Sequence, residues 1–257
     1  MIFTMESKNN KIIKLCSIIF AIILWQIVSL LIDSNILIAS PIKVAIRLLT
    51  IWREPIFLSA VLFSLLRVTI GFVLGVFLGV IFGVLADRFM LVEHILWPYM
   101  VTIRSVPVAS IVVICLIWLS ASNISGFVAL LIVMPVVYSN VLTGLKNRDE
   151  ELEEVAKVYD ISGLERVRRV LVPQIGGYLI SSCSVTAGMA WKAGIAAEVI
   201  GTPAGSIGRQ LYLAKTYLDT VDLFAWTIII VVLSVLFEKL FIKLLKLALK
   251  LWCGIED

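Results

Sequence analysis

Histidine is nearly absent from this sequence: His94 is the only one. A Ser-His-Asp relay would have to be built on that single residue, and a histidine-based metal cluster is excluded. The four cysteines, Cys16, Cys115, Cys183 and Cys253, are scattered, three of them in apolar runs, with no C-x-x-C pair. Neither a disulfide framework nor a thiolate metal site is implied. No G-x-x-x-x-G-K-[ST] stretch occurs, so the chain does not hold ATP in the P-loop manner. Charge is scarce too. It accounts for 16% of 257 residues, against about 25% in soluble domains. What fills the space is apolar, at 61%. The reading is an all-α polytopic membrane protein, a single transmembrane domain over residues 1–257. Its net charge of +4 reflects loop basicity and gives no reason to expect nucleic acid.

About six spans are expected, at Leu15–Ile32, Phe57–Ala86, Leu91–Leu119, Ile124–Leu145, Gln174–Ile200 and Val221–Leu240. The first run is long and lacks an A-x-A sequence, so it is expected to be retained rather than cleaved. A segment Asp33–Pro55 with a short amphipathic helix, Ile42–Trp52, follows it. Gly71, Gly75, Gly79 and Gly83 recur every four residues in the second span, a ladder that lets another helix approach closely. Pro107 predicts a kink in the third span. The fifth span is rich in small and polar residues, which suits a helix facing protein or an aqueous path.

Between the fourth and fifth spans lies Lys146–Pro173, too charged for hydrocarbon and therefore a loop on one membrane face. Asn147 or Asp149 can cap a helix, and Glu150, Glu151, Glu153 and Glu154 follow where the helix dipole favours them. Leu152, Val155, Ala156 and Tyr159 predict one apolar stripe. After a break at Asp160-Ile161, Ser162-Gly163-Leu164-Glu165 reads as a capping box opening a second helix, and Pro173 as the start of the next span.

This loop resembles the EAA motif of ABC-importer permeases: a Glu-Ala-Ala triplet, a Gly four residues on, and a Pro thirteen after that. Glu154-Val155-Ala156 and Pro173 fill the pattern, while Asp160 stands at the Gly. Asp adopts positive φ more readily than most residues, so the elbow is expected to survive. SLLRVTIGFVLGVFLGVIFGVL, IRSVPVASIVVICLIW and Gly205-Ser206-Ile207-Gly208 resemble stretches of the nitrate/sulfonate/taurine permease group, although Ser105 replaces a proline.

The resemblance implies the type I importer permease fold, with the loop as a cytoplasmic coupling helix. Leu152, Glu154, Val155, Ala156, Tyr159, Asp160 and Ser162 would meet a separate ATPase. It also implies a bacterial inner-membrane protein with a second permease copy, two cytoplasmic ATP-binding subunits holding ATP and Mg, and an external substrate-binding protein. The chain itself would bind no cofactor or metal and catalyse nothing. Its solute would be a sulfonate, nitrate, taurine or other small organic anion, or a small heterocycle such as a vitamin precursor.

Sidedness agrees with that implication. With both termini on the loop's side, fourteen Lys and Arg lie in segments on that side and five on the other. Candidate path residues are Arg104, Ser181, Ser184, Trp191, Lys192 and Glu198. Each has a plainer role open to it. Arg104 and Lys192 can snorkel, Lys192 can pair with Glu198, Trp191 can pack, and the serines can serve helix packing. An ATP-independent transporter or channel is the rival class, with Glu198 as the only carboxylate expected within a span.

Overall fold

In the computed structural model, residues 2–32 and 37–254 are described, without the side chains of residues 2–12, 14 and 15. Asp33 and the side chains of Lys8, Lys11 and Lys14 lie outside the described residues. Among these residues all regular structure is helical. Three stretches are long and apolar enough to cross a membrane: Pro55–Arg88, Ala121–Lys146 and Gly163–Gly201. The pair Met90–Ser105 and Val108–Cys115, bent by 105° at the break between them, makes a fourth if counted as one broken span.

The described residues form two compact units. The first comprises residues up to Ser59 together with Gln210–Ile229. It contains α1 (Ile2–Ile32), apolar over Cys16–Ile32, and α2 (Pro41–Thr50) with a short turn to Arg53. Pro41 opens α2 where its missing N–H costs nothing. Arg47 of α2 bonds both Asp222 carboxylate oxygens and pairs with Glu54 at 2.6 Å. The Asp222 bond, backed by Glu54, raises the Arg47 pKa well above its usual range against the opposing effect of burial. Ring pairs Trp25–Phe224 and Phe57–Trp226, with centroids 5.2 and 5.6 Å apart, complete this unit's packing.

The second unit, Ala60–Arg209 with Ile230–Asp257, holds the site. Its axis is α6 (Ile124–Lys146), whose Val128, Val133, Val137 and Val141 are buried. The glycine ladder of α3 (Pro55–Arg88) lies against it. A Cβ on Gly75 or Gly79 would stand 2.8 Å from Val133 or Val137, and one on Gly71 would run into the Gly126 carbonyl. Only hydrogen fits there, so the two backbones meet directly.

Next come α4 (Met90–Ser105) and α5 (Val108–Cys115), separated at Val106-Pro107. The expected kink is thus a sharp break, because Pro107 lacks an N–H and Val106 is pushed to an extended conformation before it. Then come α7 (Glu150–Val158), α8 (Gly163–Arg166) and α9 (Val172–Gly201). A five-residue π-type turn, Val167–Leu171, joins α8 to α9 without a break. Pro173 sits in the first turn of α9, one residue after its start and where its missing N–H is tolerated, with the π-type turn continuing the helix backwards to α8.

Helix α9 ends at Thr202, held at φ +46 with its N–H on the Glu198 carbonyl at 2.7 Å. Beyond it lies α10 (Ile207–Thr216). Last comes α11 (Thr220–Cys253), uncharged from Leu223 to Phe237. An aromatic cluster of Phe72, Trp191, Phe237 and Phe241 packs α3, α9 and α11.

Candidate functional site

The segment Lys146–Pro173 is built from its cap outward. Asp149 caps α7 by accepting from Glu151 N at 2.9 Å and Leu152 N at 3.4 Å, and its own N–H bonds Gln174 Oε1 at 2.7 Å. Three ion pairs bind the segment and its flanks to neighbouring elements. Lys146 meets Glu93 of α4 at 2.6 Å, Arg148 meets Asp87 of α3 at 3.0 Å, and Arg166 of α8 meets Glu153 of α7 at 2.6 Å. Arg166 thus links α8 to α7, and Arg148 and Lys146, at the segment's start, link it to α3 and α4.

The apolar stripe is split. Ala156 is buried, while Leu152, Val155 and Tyr159 stand 49%, 49% and 75% exposed, beside an exposed Val158. Ala156 faces inward with Glu153, because Arg166 draws that carboxylate under the helix. Glu154 is exposed. Asp160 adopts φ +53, and Ile161 N bonds the Ala156 carbonyl at 2.8 Å, so the elbow forms with an aspartate. The capping box does not. Ser162 is exposed and extended, and it caps only with its backbone, Arg166 N reaching its carbonyl at 3.4 Å, because the Glu165 carboxylate is engaged by Arg169.

The candidate path residues separate into three environments. Lys192 and Ser181 lie on an unpacked α9 face with Gly177, Val185, Met189 and Ala196. A Cβ on Gly177 or on the adjoining Gly188 would meet nothing within 4 Å. The face is mixed: Val185 and Met189 are apolar, while Gly177, Ser181 and Ala196 are small and leave room for another protein surface or water beside the one ammonium. Arg104 is spent on α6, donating to the Pro135 carbonyl at 2.7 Å and Ser139 Oγ at 2.6 Å. Ser184 donates to Glu238 of α11 at 2.6 Å. Glu198 is therefore not the only carboxylate within the expected spans: Glu238 and Asp222 lie in α11 and Glu93 in α4. Trp191 is fully buried against Phe237, with centroids 6.1 Å apart.

Glu198 has no exposure and does not pair with Lys192. Its Oε2 accepts from Ser64 Oγ of α3 at 2.7 Å and from Gly208 N of α10 at 3.1 Å. Ser64 Oγ in turn accepts from Ile207 N at 3.0 Å. Ser125 adjoins the carboxylate without reaching hydrogen-bond geometry. The knot ties α3, α9 and the first amides of α10 together, and a Cβ on Gly208 would collide with Glu198. Isolated charge and glycine positions in the sequence carried no hint of it, because its members lie 134 and 143 residues apart along the chain.

Residues 71–247 match the family described as binding-protein-dependent transport system inner membrane component. The putative aliphatic sulfonates transport permease protein of Bacillus subtilis is 28% identical over 238 residues, covering 90% of this chain and 84% of that protein. A nitrate import permease protein of Synechococcus elongatus is 25% identical, covering 71% and 69%. The formylaminopyrimidine transport permease protein of Halalkalibacterium halodurans is 23% identical, covering 83% and 85%.

Proposed function

The chain belongs to the binding-protein-dependent transport inner membrane component family, and on that premise we propose that it is the path-forming subunit of an ATP-driven importer of small anions. Two copies enclose the path, two cytoplasmic ATPase subunits drive it, and an external binding protein delivers the solute. The observation that carries the reading is the face Leu152, Val155 and Tyr159, exposed on a capped helix whose other side is pinned by Glu153–Arg166. Such a patch on a loop helix needs a partner. ATP and Mg belong to that partner.

In this mechanism ATP-driven closure of the ATPase pair moves α7. The ion pairs carry the displacement to α3, α4 and α9, and the spans exchange inward-open for outward-open. The α9 face with Ser181 and Lys192 lines the path, and the Lys192 ammonium attracts the anion. The sulfonate and nitrate relatives name anions, which favours a small anion over a heterocycle.

Val155→Arg tests the docking face. The expected result is a variant that stays in the membrane, loses the co-purifying ATPase and loses uptake. Normal uptake by that variant would sink the assignment. Purified wild-type chain that moves solute in liposomes without ATP would instead favour a channel or secondary transporter.

A further inference from the structure

The end of α11 has no part in that mechanism. After the uncharged run Leu223–Phe237, about 22 Å of helix, Lys239, Lys243, Lys246 and Lys250 follow along one face. Lys239, Lys243 and Lys246 are all exposed. Leu240, Leu244, Leu247 and Leu251, each one residue further on, are at least half exposed on the adjoining face. A helix with a lysine row beside a leucine row is shaped for a membrane boundary, leucines in acyl chains and ammoniums among headgroups. Glu238, Lys239, Ile242, Lys243 and Lys246 line a cavity of about 370 Å³. The one carboxylate in it already accepts from Ser184.

A bond at the helix terminus places this end of α11 on the same side as the Lys146–Pro173 segment. Arg168, in the turn after α8, donates to the Trp252 carbonyl, so α11 ends beside the coupling segment. The guanidinium satisfies a terminal carbonyl and complements the negative end of the helix dipole. The lysine row thus sits where the chain's own positive bias places the anionic leaflet.

We infer that Lys239, Lys243 and Lys246 form a docking site for anionic phospholipid headgroups in the leaflet on the coupling-segment side. The lipid phosphate sits between the ammoniums and its acyl chains lie along the leucine row. The site also braces the α11 terminus that Arg168 holds. It does not depend on ATP or on the solute carried, so its failure would leave the importer reading intact.

The test uses the purified full chain in nanodiscs of phosphatidylcholine, with and without phosphatidylglycerol, and without any ATPase. Bound lipid is counted by native mass spectrometry after release, and affinity is read from thermal shift. Wild type should retain phosphatidylglycerol. Lys239→Gln/Lys243→Gln/Lys246→Gln should bind it about 100-fold more weakly, at about tenfold per 1.4 kcal/mol and about 1 kcal/mol per lysine. The corresponding triple arginine variant should bind as wild type does. Equal retention by the glutamine variant overturns the site. So does equal stabilisation by phosphatidylcholine, or by inorganic phosphate alone. A lysine-dependent effect absent here and seen only in a second sample to which an ATPase is added would assign the row to a protein surface and also overturn it.

Discussion

The two ends of α9 are held by different chemistry. At its start, the Lys146–Pro173 segment is tied by ion pairs whose cations are partly open to water, Lys146 at 50%, Arg148 at 38% and Arg166 at 42%, while the carboxylates they meet are less so, Glu93 at 29%, Asp87 at 18% and Glu153 at 10%. At its far end, Glu198, Ser64 and Ser206 are fully buried, and a carboxylate, a hydroxyl and two backbone amides close on each other. Exposed pairs each contribute about 0–1 kcal/mol and exchange readily with water. A buried hydrogen bond to a carboxylate contributes about 1.5–3 kcal/mol, and losing one member leaves the others unsatisfied. One end is suited to rearrangement on contact with a partner. The other end holds the entry to α10 in one place.

The comparison breaks most severely where the frame common to both ends is cut. Gly79→Leu puts a branched side chain where even a Cβ lies 2.8 Å from Val137. Overpacking should cost about 3 kcal/mol or more, seen as loss of the monodisperse peak in detergent. The next largest effect should come from the knot. Glu198→Ala leaves Ser64 Oγ and Gly208 N short of a partner and should cost about 2–3 kcal/mol in unfolding experiments. Glu198→Gln keeps an acceptor and should cost clearly less. Equal loss in both variants would mean that the charge, not the hydrogen bonds, fixes this end.

A smaller effect, of opposite sign, is expected at the coupling end. Asp160 holds φ +53, a conformation that costs an L residue about 1–2 kcal/mol, somewhat less for aspartate. Asp160→Gly should therefore raise stability by up to about 1 kcal/mol, and Asp160→Val should lower it. Should both variants leave the melting temperature unchanged, the elbow stores no strain.

The elbow was legible in the sequence because backbone preference is local, and so was the glycine ladder, whose four-residue spacing is itself the contact pattern. The Asp149 cap was legible for the same reason. The inward turn of Ala156 was not. It follows from Arg166 drawing Glu153 beneath α7, a pairing across thirteen residues that periodicity does not encode. Pro173 was legible too, because its missing N–H suits the first turn of a helix, which is where α9 holds it. The Glu198 knot was invisible for a deeper reason. Its partners come from three elements, and only the close approach at Gly208 brings them into reach.

The smallest expected effect also discriminates best between the two ends. Lys146→Met removes the ammonium that pairs with Glu93, itself partly open to water. Stability should fall by less than about 1 kcal/mol, and the loss should shrink further as salt rises from low ionic strength to about 0.5 M, since exposed charges are screened within a few ångströms there. The cost of Glu198→Ala should not move over the same range, because salt does not enter a buried knot. Thermal unfolding of the two variants across a salt series measures both slopes. If the Lys146→Met deficit is salt-independent, the pair is shielded in the folded chain and the coupling end is as fixed as the other. If it vanishes with salt, the start of the Lys146–Pro173 segment is held by an interaction that water and ions replace at little cost, in contrast to the knot at the other end.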